Sequence, residues 1–216
     1  MNSDLIKRIL SSILLVPLSF FFIIKGDYFF NFFLIILLII SLFEWLKMKN
    51  IMIVKFTGII MIVVSFYSVF QIRYFNNGEN ILDFLIIVIV CIATDLGGYS
   101  FGKILKGPKL ISISPNKTIA GFFGGFICSV LAMFILSHST FLKSYNLIID
   151  FNLSFIFYII SISLISQIGD LIISYFKRKS NLKDTGNIIP GHGGILDRID
   201  GMIFVFPIVY VFKYLF

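Results

Sequence analysis

Apolar runs of about 20 residues, the length a helix needs to cross the hydrocarbon core of a bilayer, follow one another along this chain. Only short polar links break them, and this confines the chain to one kind of fold. The runs fall at about 5–24, 28–46, 51–75, 81–105, 118–138, 153–176 and 195–215. With 58% of its 216 residues hydrophobic and 13% charged, at a mean hydropathy of +1.01, the chain carries more apolar surface than a soluble domain can hide. The expectation is an all-α, polytopic membrane protein of about seven transmembrane helices. It is read as one membrane domain over 1–216, with N-terminal spans in 1–90, a catalytic region over 91–201 and a last span over 195–216. The third run, with Lys55 near its start, and the seventh, which opens with charges, are the weakest.

The N-terminus, MNSDLIKR before an apolar run, has the outline of an export signal. No small-x-small cleavage site follows it, and Lys25-Gly26-Asp27 reads as a link into the next span, so a retained first helix is expected. Charge sets orientation. With the N-terminus in the cytoplasm, Lys7, Arg8, Lys47, Lys49, Lys55, Lys103, Lys106, Lys109, Lys117, Lys177, Arg178, Lys179, Lys183 and Arg198 fall inside. Lys25, Arg73, Lys143 and Lys213 fall outside, a split of 14 to 4 among the 18 Lys and Arg. The polar segments 103–117 and 177–194 then both face the cytoplasm. A net charge of +7 needs no nucleic-acid partner, because anionic lipid headgroups attract the same residues. Cys91 and Cys128 lie in mid-span without metal-ligand spacing and read as packing residues.

Against this background Ser166–Gly201, SQIGDLIISYFKRKSNLKDTGNIIPGHGGILDRIDG, stands out, with four aspartates and five cations. A carboxylate at mid-bilayer depth costs about 2.5–3.5 kcal/mol even on lenient insertion scales. Asp170, Ser174 and Lys177 follow at i, i+4 and i+7 on one helix face. Lys183-Asp184 comes next, then Pro190-Gly191, which must end any helix. At His192-Gly193-Gly194 the missing side chains let backbone approach a ligand closely. His192 itself reads either as holding the turn or as meeting a phosphate. The final helix is expected to begin there, with Asp197 and Asp200 at i and i+3 on a common face and Asp197 at the positive end of the helix dipole.

Carboxylates on two helices joined by a basic, glycine-rich loop meet the needs of a metal–polyphosphate site. Mg²⁺ takes one or two carboxylates together with substrate phosphates and water, and Lys and Arg neutralise the phosphates that leave. Capping and headgroup contact would explain a lone Asp-Arg pair but not the whole constellation. Metal is expected at Asp170 and Asp200, joined by Asp197, with room for a second cation. Lys177, Arg178 and Lys183 are expected on the β and γ phosphates. In the fourth run Asp95 and Tyr99 share a face, and Gly97, Gly98 and Gly102 permit close helix packing. Asp95 reads there either as a supporting group or as a plain hydrogen-bond partner.

These residues also carry a resemblance. Ser174-x₂-Lys177-Arg178-x₄-Lys183-Asp184-x-Gly186-x₂-Ile189-Pro190-Gly191-His192-Gly193-Gly194-x-Leu196-Asp197-Arg198-x-Asp200 resembles the C-terminal signature of phosphatidate cytidylyltransferases, the CDP-diacylglycerol synthases, and Gly169-Asp170 resembles their Gly-Asp element. Asp95-x₂-Gly98-Tyr99-x₂-Gly102 and Ser114-Pro115-Asn116-Lys117-Thr118-x₂-Gly121 are similar to two further patterns, with Asn116 and Ala120 standing where Lys and Glu are usual. The resemblance covers about 95–201; the first 90 residues match only as apolar spans.

The resemblance implies transfer of the cytidylyl group from CTP to phosphatidate, a Mg²⁺ cofactor, a homodimer, and a site facing the cytoplasm from the cell membrane. It implies catalytic roles for Asp184, His192 and Arg198 beside the residues above, and substrate contacts from Asp95, Tyr99, Ser114, Lys117, Thr118, Ser174, Gly193 and Gly194. Two other readings compete. A CDP-alcohol phosphotransferase also pairs aspartates, but its Asp-Gly-x₂-Ala-Arg run is absent. A cation or proton transporter also places carboxylates in the membrane, but has no need of a Lys/Arg-rich Gly-Gly loop beside them.

Overall fold

A computed structural model of the chain describes residues 3–74, 81–111, 114–139, 149–191 and 193–214. The apolar runs become helices: α1 (Ser3–Lys25), α2 (Asp27–Lys47), α3 (Met52–Tyr74), α4 (Ile81–Leu105), α5 (Ile119–Ser137) and α6 (Leu153–Lys179). A short α7 (Leu196–Ile199) and then α8 (Met202–Tyr214) close the chain. A single residue, Gly26, separates α1 from α2, at a φ of 65°, a left-handed conformation that glycine takes without steric cost.

Among the described residues, α2 to α6 are long and apolar enough to cross a membrane, while the apolar stretches Ile13–Lys25 of α1 and Met202–Phe212 of α8 are shorter. The helices turn large apolar side chains outward: Val16 is 66% exposed, Ile39 60% and Leu96 61%. Such a surface is stable in lipid and not in water, and the chain is an all-α polytopic membrane protein. Two features depart from the expected layout. Residues 109–118 form a small antiparallel hairpin, β1 (Lys109–Ile111) with β2 (Ser114–Thr118), Lys109 lying opposite Thr118. The last span is no continuous helix from about 195, because Asp200-Gly201 interrupts it between α7 and α8.

The chain packs as two compact units. One comprises 1–67 with 176–199, the other 68–175 with 200–216. In the first, Phe30, Trp45, Met48 and Ile62 are buried. Trp45 donates from Nε1 to the Lys55 carbonyl at 3.1 Å, stacks edge-on to Phe176 and fills the space that a side chain at Gly58 would need. In the second, Ile87, Val90, Ile159, Ile162, Ile203 and Val205 form the core, and the Phe84 and Phe206 rings stack 5.7 Å apart. The main helix pair there, α4 with α5, meets through glycine. A Cβ on Gly97 would strike the Gly124 carbonyl, and one on Gly121 would lie 2.6 Å from the Gly98 oxygen. Backbones this close gain dispersion contact that lipid cannot replace.

Candidate active site

In the second unit, the α4–α5 approach fixes the base of α5, where Thr118 caps the helix by accepting from the Gly121 amide at 3.1 Å. Lys117, one residue earlier at the end of β2, is thereby delivered to α6, where its ammonium pairs with Asp170 Oδ2. Asp170 Oδ1 accepts from the Ser174 hydroxyl at 3.2 Å, the i, i+4 relation expected from sequence. One residue before Asp170, Gly169 lies so close to α8 that a Cβ there would be 2.6 Å from the Phe204 ring and 3.2 Å from the Gly201 carbonyl. Gly201 in turn presses on Ser166, leaving no room for a side chain. Asp170 and Asp200 therefore flank one glycine-lined crossing. Asp200 is buried, and its Oδ1 accepts from the Gly201 amide at 2.9 Å. The Cys91 thiol on α4 bonds to Ser166 of α6 and lies within electrostatic range of Asp95 and Asp200, so two helices and the Asp200-Gly201 break bring acidic or polar groups to this crossing. Asp95 and Tyr99 are on an exposed face of α4, and Lys103 Nζ reaches the Tyr99 hydroxyl at 3.4 Å. Ser114 is half-buried in β2.

The first unit holds the glycine-rich loop. After α6 ends, Asn181 takes a left-handed φ of 56°, and the Leu182 amide returns to the Lys177 carbonyl at 2.9 Å. Lys177 is buried, and its ammonium meets Asp197 Oδ1 at 2.9 Å. Asp197 Oδ2 accepts from two backbone amides, Thr185 at 2.8 Å and Gly194 at 2.9 Å. The Pro190-Gly191 turn closes with Ile189 N–H donating to the Gly193 carbonyl at 2.9 Å, with Gly191 at φ 78° and Gly193 at φ 87°. Ser11 of α1 donates to the Pro190 carbonyl at 3.1 Å. Arg178, Lys183, Asp184 and Arg198 are exposed, and Arg178 Nη1 donates to the Leu182 carbonyl at 3.3 Å. His192 lies outside the described residues.

One sequence expectation changes here. Asp197 and Asp200 do not share a helix face, because α7 ends at Ile199 and Asp200 occupies the interruption. At Gly194, expected from the resemblance to touch substrate, a Cβ would strike Thr185 and Glu44, so the backbone there packs against the loop's own anchors. Glu44, near the end of α2, escaped the sequence reading altogether. It is 1% exposed and accepts from Thr185 Oγ1 at 2.9 Å, the Ile195 amide at 3.1 Å and the Leu196 amide at 2.8 Å. The one signal for it is an acid followed by Trp45 at a helix end.

Among the described residues, no group of three or more His, Cys, Asp or Glu is gathered as a ready-made metal cage. The donors beside the Gly169–Gly201 crossing nevertheless suit Mg²⁺, which takes one or two carboxylates and completes its shell with water and substrate phosphate. Asp170 already holds a cationic group at Oδ2.

A profile of the cytidylyltransferase family matches residues 52–216. A phosphatidate cytidylyltransferase of Rickettsia bellii is 37% identical over 217 residues, covering 97% of this chain and 90% of that protein. Proteins of the same name from Staphylococcus saprophyticus and Staphylococcus aureus are 40% and 39% identical, over 65% of this chain and 52% of theirs. The chain thus spans about half the length of the staphylococcal relatives it matches.

Proposed function

The chain belongs to the cytidylyltransferase family, and from that premise we propose that it is a membrane-embedded CTP:phosphatidate cytidylyltransferase. A phosphate oxygen of phosphatidate attacks the α-phosphorus of CTP in line, the bond to the β-phosphate oxygen breaks, and CDP-diacylglycerol and pyrophosphate result. Such transfers depend on positioning and charge neutralisation more than on covalent catalysis. The observation that carries the reading is the close approach of Gly169 on α6 to Gly201 and Phe204 at the start of α8, with Asp170 next to the first glycine and buried Asp200 next to the second.

Asp170 and Asp200 would hold Mg²⁺, which when bound supplies positive charge to the reacting phosphate oxygens. Lys117 and Ser174 orient the Asp170 carboxylate by direct bonds to its two oxygens, and Asp95 supports the same region from α4. Arg178, Lys183 and Arg198 are, with Lys179, exposed cations of the loop and its flanks, and the partners assigned to these three are the CTP phosphates, Arg offering bidentate contact. Lys177, paired to Asp197, and Asp197, bonded to two amides, are assigned to hold the loop in shape. CTP arrives from the cytoplasm, in keeping with the 14 to 4 charge split, while the acyl tails of phosphatidate stay in lipid. A homodimer is proposed from the family resemblance alone.

Purified protein given radiolabelled CTP, phosphatidate and Mg²⁺ should place label in chloroform-extractable lipid. Absence of label with CTP would defeat the reading. Equal incorporation from CTP, ATP and UTP would defeat its cytidine specificity while leaving nucleotidyl transfer in place.

A further inference from the structure

We propose that Glu44 is a positioning residue for the reaction, the post on which the glycine-rich loop is seated. The inference rests on the function proposed above and extends it to a residue on α2, outside every motif that carries the family resemblance. Three donors converge on this carboxylate from two parts of the loop: the Thr185 hydroxyl and the Ile195 and Leu196 amides. An ionised carboxylate is an acceptor at both oxygens, and here Oε1 takes Ile195 while Oε2 takes Thr185 and Leu196.

The loop reaches Glu44 because two motif glycines leave the space empty. A Cβ on Gly186 would lie 2.6 Å from Oε1, and one on Gly194 would strike both Oε2 and the Thr185 hydroxyl. These glycines therefore serve the seat as well as the turn. Asp197 works beside Glu44 on the same strands of the loop, taking the Thr185 and Gly194 amides. Thr185 is gripped twice, by its backbone at Asp197 and by its side chain at Glu44. Lys183 and Asp184 immediately precede this anchor, and Arg198 closely follows the other one. Their placement toward CTP is thus fixed from a buried acid that meets no substrate.

Glu44→Gln keeps the size and removes one acceptor. Whichever way the amide is turned, its NH₂ faces a backbone N–H at Ile195 or Leu196, so at least one of those bonds is lost. Removing an outer-shell partner of this kind lowers function by about 10–100-fold. The full-length variant in detergent should show a KM for CTP raised by at least about tenfold, with kcat changed less. Amide hydrogen exchange at Ile195 and Leu196 should accelerate while exchange within α4 and α5 stays as in the wild type. Wild-type KM together with wild-type exchange at both amides overturns the proposal. If Glu44→Gln does not fold, Thr185→Val and Thr185→Ser take its place. The serine variant should restore KM and exchange, and equal behaviour of the two overturns the proposal. Should the wild type itself turn over no CTP, the functional reading fails, and hydrogen exchange in the variants still decides whether Glu44 seats the loop.

Discussion

Asp170 and Lys177 sit two turns apart on α6 and carry opposite expectations for mutation. Asp170→Asn keeps the shape and removes the charge proposed to hold Mg²⁺, as does Asp200→Asn, and each should lower activity by about 10²-fold or more. Membrane insertion should persist, since a neutral amide is easier to place in lipid than a carboxylate. A Mg²⁺ titration checks this: full activity of either variant at ordinary Mg²⁺ removes the metal role. Lys177→Met instead strands the Asp197 carboxylate, whose side chain is 5% exposed. Breaking a buried pair from one side costs about 3 kcal/mol, so thermal unfolding should shift clearly downward. Arg178→Gln, at an exposed position, should leave the unfolding midpoint in place and raise the KM for CTP about tenfold, the worth of one charge-assisted hydrogen bond. The Asp170–Ser174 bond was legible because i, i+4 spacing fixes neighbours within one helix. The Lys177–Asp197 pair was not, because it spans 20 residues of turning backbone. Glu44 was hidden more deeply. An acid in the last turn of an apolar helix reads as an interfacial charge until its three donors, more than 140 residues away, are seen.

Among the elements, the helices were read to within a few residues because apolar runs bounded by charge leave little freedom in lipid. The hairpin escaped notice: β1 has three residues, and Pro115 in the run of β2 argued against a strand. The interruption before α8 was masked by an apolar pattern that continues on both sides of it. Its cause is local, since Gly201 is pinned against Ser166 and Asp200 caps the Gly201 amide. The α4–α5 pair gives a test of glycine packing. Gly97→Ala drives a methyl into the Gly124 carbonyl and should destabilise by about 1–3 kcal/mol, as overpacking does. At Gly98 the nearest atom to an added Cβ is the Gly121 oxygen at 3.7 Å, an ordinary contact, so Gly98→Ala should unfold close to the wild-type temperature. Equal midpoints for the two variants would show that the pair is looser than described.

At the scale of the whole molecule, composition alone identified a membrane protein, and among the described residues five helices long and apolar enough to cross agree with it. Orientation rests on charge and has a direct check. In a chain with Cys91 and Cys128 replaced, Leu110→Cys should react with an impermeant maleimide only from the cytoplasmic side, and Tyr145→Cys only from outside; the reverse pattern inverts the topology. The division into two units was not legible, because one of them joins the start of the chain to 176–199, and no local pattern reports a partner so distant in sequence. That joining has a consequence for biosynthesis. The donors that satisfy Glu44 arrive 141 to 152 residues after it. At about 5–20 residues per second, the ribosome delivers them roughly 7–30 s after the acid has emerged. Throughout that interval the carboxylate lacks these three donors, so α2 is locked in place only once the distant loop has been made.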